Sequence, residues 1–89
     1  MGHVEIKTGA AMDAKTPVTD SAMKTVRLRF NPSSLPQVDR IKSLAAALIS
    51  ECEQIRDQGE SGAREATIAI TEVQGACMFA VSAATAHLA

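Results

Sequence analysis

The most informative part of the sequence is GAREATIAITEVQGACMFAVSAATAHLA, residues 62–89, in which no charged side chain follows Glu72. Apolar and small residues recur there in alternating steps of four and three. They are Ala66, Ile70, Val73, Cys77, Ala80 and Ala84. This alternation is a heptad pattern and predicts one long helix with an apolar seam. Because the helix carries so little charge, we expect much of its surface to be covered.

The segment before it predicts a partner helix. Asn31-Pro32 disfavours helix, and Ser34 with Gln37 three residues later has capping-box spacing, so a helix is expected from about Leu35 or Pro36 to about Arg56. Its apolar stripe is Val38, Ile41, Leu44, Leu48, Cys52 and Ile55, widened by Ala45 and Ile49. The short turn DQGESG, residues 57–62, joins the two helices and predicts an antiparallel hairpin.

The N-terminal third carries no sustained periodicity. Residues 1–24 mix small and polar side chains with a proline and two glycines, and TVRLRF, residues 25–30, alternates like a short extended lead-in. The predicted fold is therefore all-α: an antiparallel two-helix hairpin with an extended N-terminal arm. The predicted division is an arm over residues 1–27, flexible or bridging subunits, and a helical-hairpin domain over residues 28–89.

The outer face of the second helix predicts self-association. It carries Ile68, Gly75, Met78, Phe79, Ser82 and Ala86, so it is apolar or small where an isolated hairpin would be polar. An 89-residue chain also has a small core of its own. Both observations favour a compact homo-oligomer.

Charge is distributed unevenly along the chain. Residues 1–42 hold seven basic and four acidic side chains, or +3, whereas residues 43–89 hold two basic and six acidic ones, or −4, which sum to the net charge of −1. An anionic ligand is therefore expected near the first half. No DNA partner is expected.

Several other classes of protein are disfavoured by the sequence. The N-terminal residues do not resemble a secretory signal, and the charge-free tail is shorter and more polar than a membrane span. Cys52 and Cys77 lack metal-site spacing and are expected as buried, reduced thiols. With His3 and His87 near opposite ends, we expect no catalytic residue, metal site or cofactor.

Specific residues add a family resemblance to these patterns. AREATIAITEVQGACMFAVSAA resembles SRE-x-x-x-A-x-T-x-x-E-x-A-x-MW-A, the signature of the helical-hairpin domain in phage sponge proteins that defeat nucleotide-signalling defences. The matching residues are Arg64, Glu65, Ala69, Thr71, Ala76, Met78 and Ala80. Phe79 replaces the usual Trp, and Gln74-Gly75 stands where an acidic pair is common. Upstream, FNPSSLPQVDRIKSLAAALI resembles the other half of that domain, so the resemblance covers about residues 28–86.

Two branches share this hairpin. The resemblance to the anti-CBASS branch implies compact hexamers that hold cyclic dinucleotides such as 3′,3′-cGAMP, and in some members cyclic trinucleotides, without hydrolysing them. The anti-Thoeris branch places a β-rich segment before the hairpin and holds cyclic ADP-ribose isomers. Because residues 1–27 show little strand signal, the first branch is favoured. Either branch implies a non-enzymatic protein in the cytoplasm of the infected bacterial host.

The resemblance also implies ligand-binding residues. Phe30 matches the aromatic that stacks on a base, and Lys42 matches the basic residue that contacts phosphate; Asn31 and Arg40 are further candidates for that pocket. As alternatives, Phe30 is a staple under the first helix and Lys42 a solvated surface lysine.

Arg64 and Thr67 lie in the first turns of the second helix, where free backbone N–H groups favour an anion. The resemblance implies a role for Arg64 in a separate trinucleotide pocket. Capping, or a salt bridge from Arg64 to Glu60 or Glu65, is the alternative. For the whole chain, the alternative function is a structural or adaptor hairpin, like a small antitoxin or phage assembly protein, that acts only through protein contacts.

Overall fold

The computed structural model describes residues 4–7 and 15–88, and the side chains from residue 17 onward. The described part of the chain is mostly helical. Its elements in chain order are strands β1 (Val4–Lys7) and β2 (Lys15–Val18), helices α1 (Asp20–Thr25), α2 (Pro36–Gln58) and α3 (Ala63–Thr85), and a final 3-10 turn (Ala86–Leu88).

The predicted helical hairpin is confirmed, since α2 and α3 form the most extensive contact between elements. Proline at the first position of α2 suits a helix start, because its missing N–H needs no partner there. At the other end, Gly59 takes the left-handed conformation at φ 69° and its N–H donates to the Arg56 carbonyl at 3.1 Å. The hairpin turn therefore lies where the glycines predict it.

The predicted capping box at Ser34 is wrong. Leu35 is the N-cap of α2, without a side-chain cap, and Ser34 has a positive φ of 58°. Asn31 and Ser33 instead hold the segment that leads into α2. Asn31 Nδ2 donates to the Leu35 carbonyl at 2.9 Å, and the Leu35 N–H donates to Ser33 Oγ at 3.2 Å. Ser33 Oγ in turn donates to Asn31 Oδ1 at 2.6 Å. These local bonds replace the cap.

The apolar stripe predicted on α2 is only partly buried. Val38, Cys52, Ala45 and Ile49 are buried as predicted, whereas Leu44, Leu48 and Ile55 are exposed. The inward side of α2 instead includes Ala46, Ala47 and Ser50, small residues that permit close approach of the N-terminal elements. The packing of those elements, which the sequence pattern does not reveal, sets the rotation of the helix.

The N-terminal segment is the largest departure from expectation. β1 and β2 form an antiparallel two-stranded sheet with Val4 opposite Val18, so the fold is not all-α. Val18 and Ala22 are fully buried in the core with Ala46 and Ile49 of α2. Residues 15–25 are therefore regular structure packed on the hairpin. The remainder of the arm, residues 1–3 and 8–14, lies outside the described residues.

The extended lead-in predicted over residues 25–30 is also wrong. Thr25 ends α1, and residues 26–29 form a turn in which Arg27 has a left-handed φ of 53°. The alternation of Val26, Leu28 and Phe30 suggested a strand, but the segment is short and forms a turn between two helices. A two-residue period over so few residues does not distinguish a strand from a turn.

A buried carboxylate joins the N-terminal elements to α2. Thr19 Oγ1 donates to Glu53 Oε1 at 2.5 Å, and Ser21 Oγ donates to Glu53 Oε2 at 2.6 Å. The Thr19 N–H also donates to Ser50 Oγ at 3.0 Å, while Thr19 Oγ1 caps α1 by accepting from the Ala22 N–H. We call Thr19, Ser21, Ser50 and Glu53 the Glu53 clasp. It satisfies a carboxylate that would otherwise be costly to bury.

The outer face of α3 is uncovered in the single chain, as predicted. Phe79 is 81% exposed and Met78 66%, and Ile68 is also exposed. The helical segment Ala63–Leu88 is long and apolar enough to pass a length and hydropathy test for a membrane span, a test that core helices also pass. We keep the name outer face for the surface that carries Ile68, Gly75, Met78, Phe79, Ser82 and Ala86.

Candidate functional site

Two adjoining clefts lie beside the turn that connects α1 to α2. The inner cleft has a volume of about 520 Å³ and runs between this turn and α3; its lining is Thr25, Val26, Arg27, Phe30, Lys42, Gln74, Cys77, Met78, Val81 and Ser82. The outer cleft, about 540 Å³, lies toward the end of α3; its lining is Phe30, Asn31, Pro32, Ser33, Val38, Lys42, Val81, Thr85 and Leu88. Phe30 and Lys42 border both clefts.

Phe30 presents an accessible aromatic ring at the boundary between the clefts. Its side chain is 58% exposed, so it does not pack under α2 as a staple residue would. The Phe30 N–H donates to the Arg27 carbonyl at 2.9 Å, which fixes the backbone that carries the ring. The free face of such a ring can stack on a nucleobase.

Lys42 is buried rather than solvated, with 7% of its surface exposed. Its Nζ donates to the Arg27 carbonyl at 3.0 Å and to the Phe30 carbonyl, and it lies 5.5 Å from the centroid of the Phe30 ring. An ammonium group tolerates burial when carbonyl oxygens and an aromatic face replace its water. The lysine therefore holds together the turn that shapes both clefts.

This role predicts that Lys42→Met destabilises the protein. Methionine fills a similar volume but donates no hydrogen bond, so the Phe30 carbonyl loses its Lys42 donor and the Arg27 carbonyl keeps only the Phe30 N–H. The free energy of unfolding should fall by about 1–3 kcal/mol in urea denaturation followed by circular dichroism. Lys24→Met, at an exposed lysine of α1, should change it by no more than about 0.5 kcal/mol. Equal stability of the two variants would contradict the role.

Asn31 and Arg40, the other two residues expected in the Phe30 and Lys42 pocket, have different surroundings. Asn31 lines the outer cleft, but its Nδ2 already donates to the Leu35 carbonyl and to Asp39 Oδ1 at 3.0 Å. Arg40 is exposed on α2 and lines neither cleft. The structure thus brings Phe30, Asn31 and Lys42 together and leaves Arg40 apart from them within one chain.

Arg64 and Thr67 lie at the opposite end of the hairpin. Both are exposed in the first turns of α3, and Thr67 Oγ1 donates back to the Ala63 carbonyl at 3.0 Å. Arg64 precedes the cleft residue Met78 by four helical turns, or roughly 20 Å along the axis. Within one chain they therefore belong to a separate surface from the two clefts.

Cys77 lines the inner cleft on the α3 side. Burial raises the pKa of its thiol, against a smaller lowering from the charge of Lys42. A raised pKa keeps the thiol protonated and poorly nucleophilic at neutral pH. Both cysteines are free and buried, as predicted.

Arg27 is a cleft residue that no sequence pattern had indicated. It lines the inner cleft and also a third, shallower depression beside α1. Its place in an alternating segment suggested only the solvent side of a strand. The one available signal was the density of basic residues in residues 24–29.

Among the described side chains, no group of three histidine, cysteine or acidic residues could hold a metal ion.

Comparison with protein families matches the hairpin and its clefts to one domain. The family model described as Acb2/Tad1, hairpin domain, matches residues 23–85. The matched segment begins in α1 and ends with α3, so it includes Phe30, Lys42 and both helices. Comparisons with curated proteins and with solved structures gave no match.

Proposed function

Because this chain belongs to the Acb2/Tad1 hairpin-domain family of phage anti-defence sponge proteins, we propose that it sequesters cyclic di- and trinucleotides. Binding of a messenger such as 3′,3′-cGAMP without hydrolysis would block CBASS-type signalling in the infected cell. The observation that carries the proposal is the family match over residues 23–85, which spans the helical hairpin and the clefts.

The geometry of the clefts supports this proposal. Volumes of about 520 and 540 Å³ fall within the range of roughly 300–1,000 Å³ that small-molecule sites occupy. The exposed Phe30 ring offers a stacking surface, and Arg27 offers a cation within the same cleft. Stacking on an aromatic side chain contributes about 1–3 kcal/mol per base. A purine and a phosphate are therefore both accommodated by neighbouring groups.

The proposed assembly is a homo-oligomer, and specifically a hexamer as the family resemblance implies. The exposed Met78 and Phe79 support burial of the outer face against other copies of the chain. Met78 also lines the inner cleft, so a second copy at this face would adjoin the cleft. We propose that two protomers together enclose one ligand.

Ligand-induced stabilisation tests the function directly. A ligand at about one hundred times its Kd stabilises the folded state by about 2.7 kcal/mol, which should raise the Tm of a domain this size by roughly 10 °C or more. The panel contains 3′,3′-cGAMP, a cyclic trinucleotide and, as a control, the linear dinucleotide pGpA. Intact cyclic nucleotide should be recovered after heat denaturation. Absence of any shift would contradict the proposal and favour the adaptor alternative; recovery of hydrolysed nucleotide would indicate an enzyme.

One observation favours a second candidate ligand. The β1–β2 sheet precedes the hairpin, and a β-rich segment in that place is what the resemblance associates with the anti-Thoeris branch. The scarcity of strand signal therefore no longer separates the two branches. Cyclic ADP-ribose isomers belong in the same thermal panel, and a larger shift with them than with any cyclic oligonucleotide would identify the chain as an anti-Thoeris sponge.

A further inference from the structure

Lys42, the cation that the resemblance implies for phosphate binding, already donates hydrogen bonds within the chain. An ammonium group has three N–H donors, and Lys42 directs two of them to the Arg27 and Phe30 carbonyls while the Phe30 ring lies beside it. If the Lys42 ammonium group turned from these carbonyls to a ligand, the turn would lose two hydrogen bonds. Lys42 therefore keeps at most one donor for a phosphate, and a second cation would strengthen phosphate binding.

Three such cations lie on the segment that Lys42 holds. Lys24, Arg27 and Arg29 are all exposed, and together they line a depression of about 470 Å³ that Met23, Leu28 and Phe30 complete. Among the described residues, the one ion pair is between Arg56 and Asp57, so none of the three is neutralised there by an acid. Because all three side chains are exposed, their charges face solvent, where an anion can reach them.

The backbone of this segment fixes Arg27 between two of the depressions. Its φ of 53° lies in the left-handed region, which L-residues rarely adopt. The conformation is held by hydrogen bonds from the Arg27 N–H to the Lys24 carbonyl at 3.1 Å and from the Phe30 N–H to the Arg27 carbonyl at 2.9 Å, in addition to that from Lys42. Strain maintained by surrounding bonds is typical of functional positions.

We propose that Lys24, Arg27 and Arg29 form the phosphate-binding site of this sponge, with Arg27 as its principal contact. This inference rests on the proposed function and names the residues that recognise the phosphodiester groups. A guanidinium group binds two phosphate oxygens at once, and Arg27 borders both the inner cleft and the basic depression. Phe30 borders the same two spaces, so a base stacked on its ring places an attached phosphate beside the arginine. Lys42 positions the turn from beneath.

Calorimetric titration with the tightest-binding nucleotide of the thermal panel tests the inference. Arg27→Gln should weaken binding at least about tenfold, the loss expected for a charge-assisted hydrogen bond, and Arg29→Gln or Lys24→Gln should weaken it less. Arg56→Gln is the matched control, since it removes the same charge from an exposed arginine near the far end of α2. Its affinity should equal that of the wild type.

Arg27→Gly separates ligand contact from folding. Glycine adopts the positive φ without strain, so this variant loses the guanidinium while the turn keeps its conformation. It should melt near the wild-type temperature and still bind at least about tenfold more weakly. If the wild type binds and both Arg27 variants bind as tightly as Arg56→Gln, this inference is overturned while the proposed function stands. If the wild type binds no cyclic nucleotide, the proposed function fails and this inference with it.

Discussion

Glu53→Ala should detach the N-terminal elements from the hairpin and lower the free energy of unfolding by about 2–3 kcal/mol. The substitution removes the acceptor of the Thr19 and Ser21 hydroxyls, bonds of 2.5 and 2.6 Å to a carboxylate that is 7% exposed. Hydrogen bonds to a charged group contribute about 1.5–3 kcal/mol each, and the partial exposure of the two hydroxyls reduces the sum. Urea denaturation measures the loss.

The local consequence distinguishes the clasp from a general loss of stability. Hydrogen exchange should accelerate in residues 19–25 more than in α3, because α1 loses its attachment while the helical hairpin persists. Glu53→Gln, which keeps one acceptor oxygen, should lose less stability than Glu53→Ala. Glu51→Ala is the matched control at an exposed glutamate of the same helix. Equal losses for Glu51→Ala and Glu53→Ala would contradict the clasp.

Phe79→Asp should separate the proposed oligomer into much smaller species. In a single chain this side chain is 81% exposed, so the substitution there should change stability by no more than about 0.5 kcal/mol. In an interface it would bury an unpaired carboxylate at several kcal/mol, and each copy in a symmetric assembly would carry one. Light scattering coupled to size-exclusion chromatography measures the change in mass.

The control for this experiment adds the same charge elsewhere. Gln54→Asp changes an exposed polar side chain of α2 and should leave the mass of the assembly unchanged. A Phe79→Asp variant with the wild-type mass would exclude the outer face as the interface and direct attention to the exposed leucines of α2, Leu44 and Leu48. Circular dichroism should show that both variants remain helical.

The helical hairpin was accessible from sequence because its signals are local and repeated. The seam of α3 continues through several turns, and Ala66 and Cys77 are buried on it as predicted. Gly59 and Pro36 act through their own backbone restrictions, so the ends of the helices could be located within about two residues. Exposure of Met78 and Phe79 followed from the same periodicity.

The candidate site was less accessible because its form depends on contacts between distant segments. Phe30 and Lys42 were placed together by resemblance, but the sequence gives no sign that the ammonium group points beneath the turn rather than into a cleft. Arg27 was overlooked because the alternation of residues 25–30 suggested a strand. Its carbonyl accepts from Lys42 of α2 as well as from the Phe30 N–H, so its conformation depends partly on a contact between segments distant in the chain.

Two long helices, the turn between them, an uncovered apolar face and a family signature can all be predicted from the amino-acid sequence. These features depend on periodicity, on proline and glycine, and on residue identities within short windows. Three other features become visible only in the folded chain: residues 15–25 pack on α2, this helix turns Ala46 and Ala47 inward, and Lys42 lies buried under Arg27. Each of these features depends on contacts between segments far apart in the chain. Val18 packs against residues of α2, and Glu53 accepts a hydrogen bond from Thr19, contacts that no local pattern specifies.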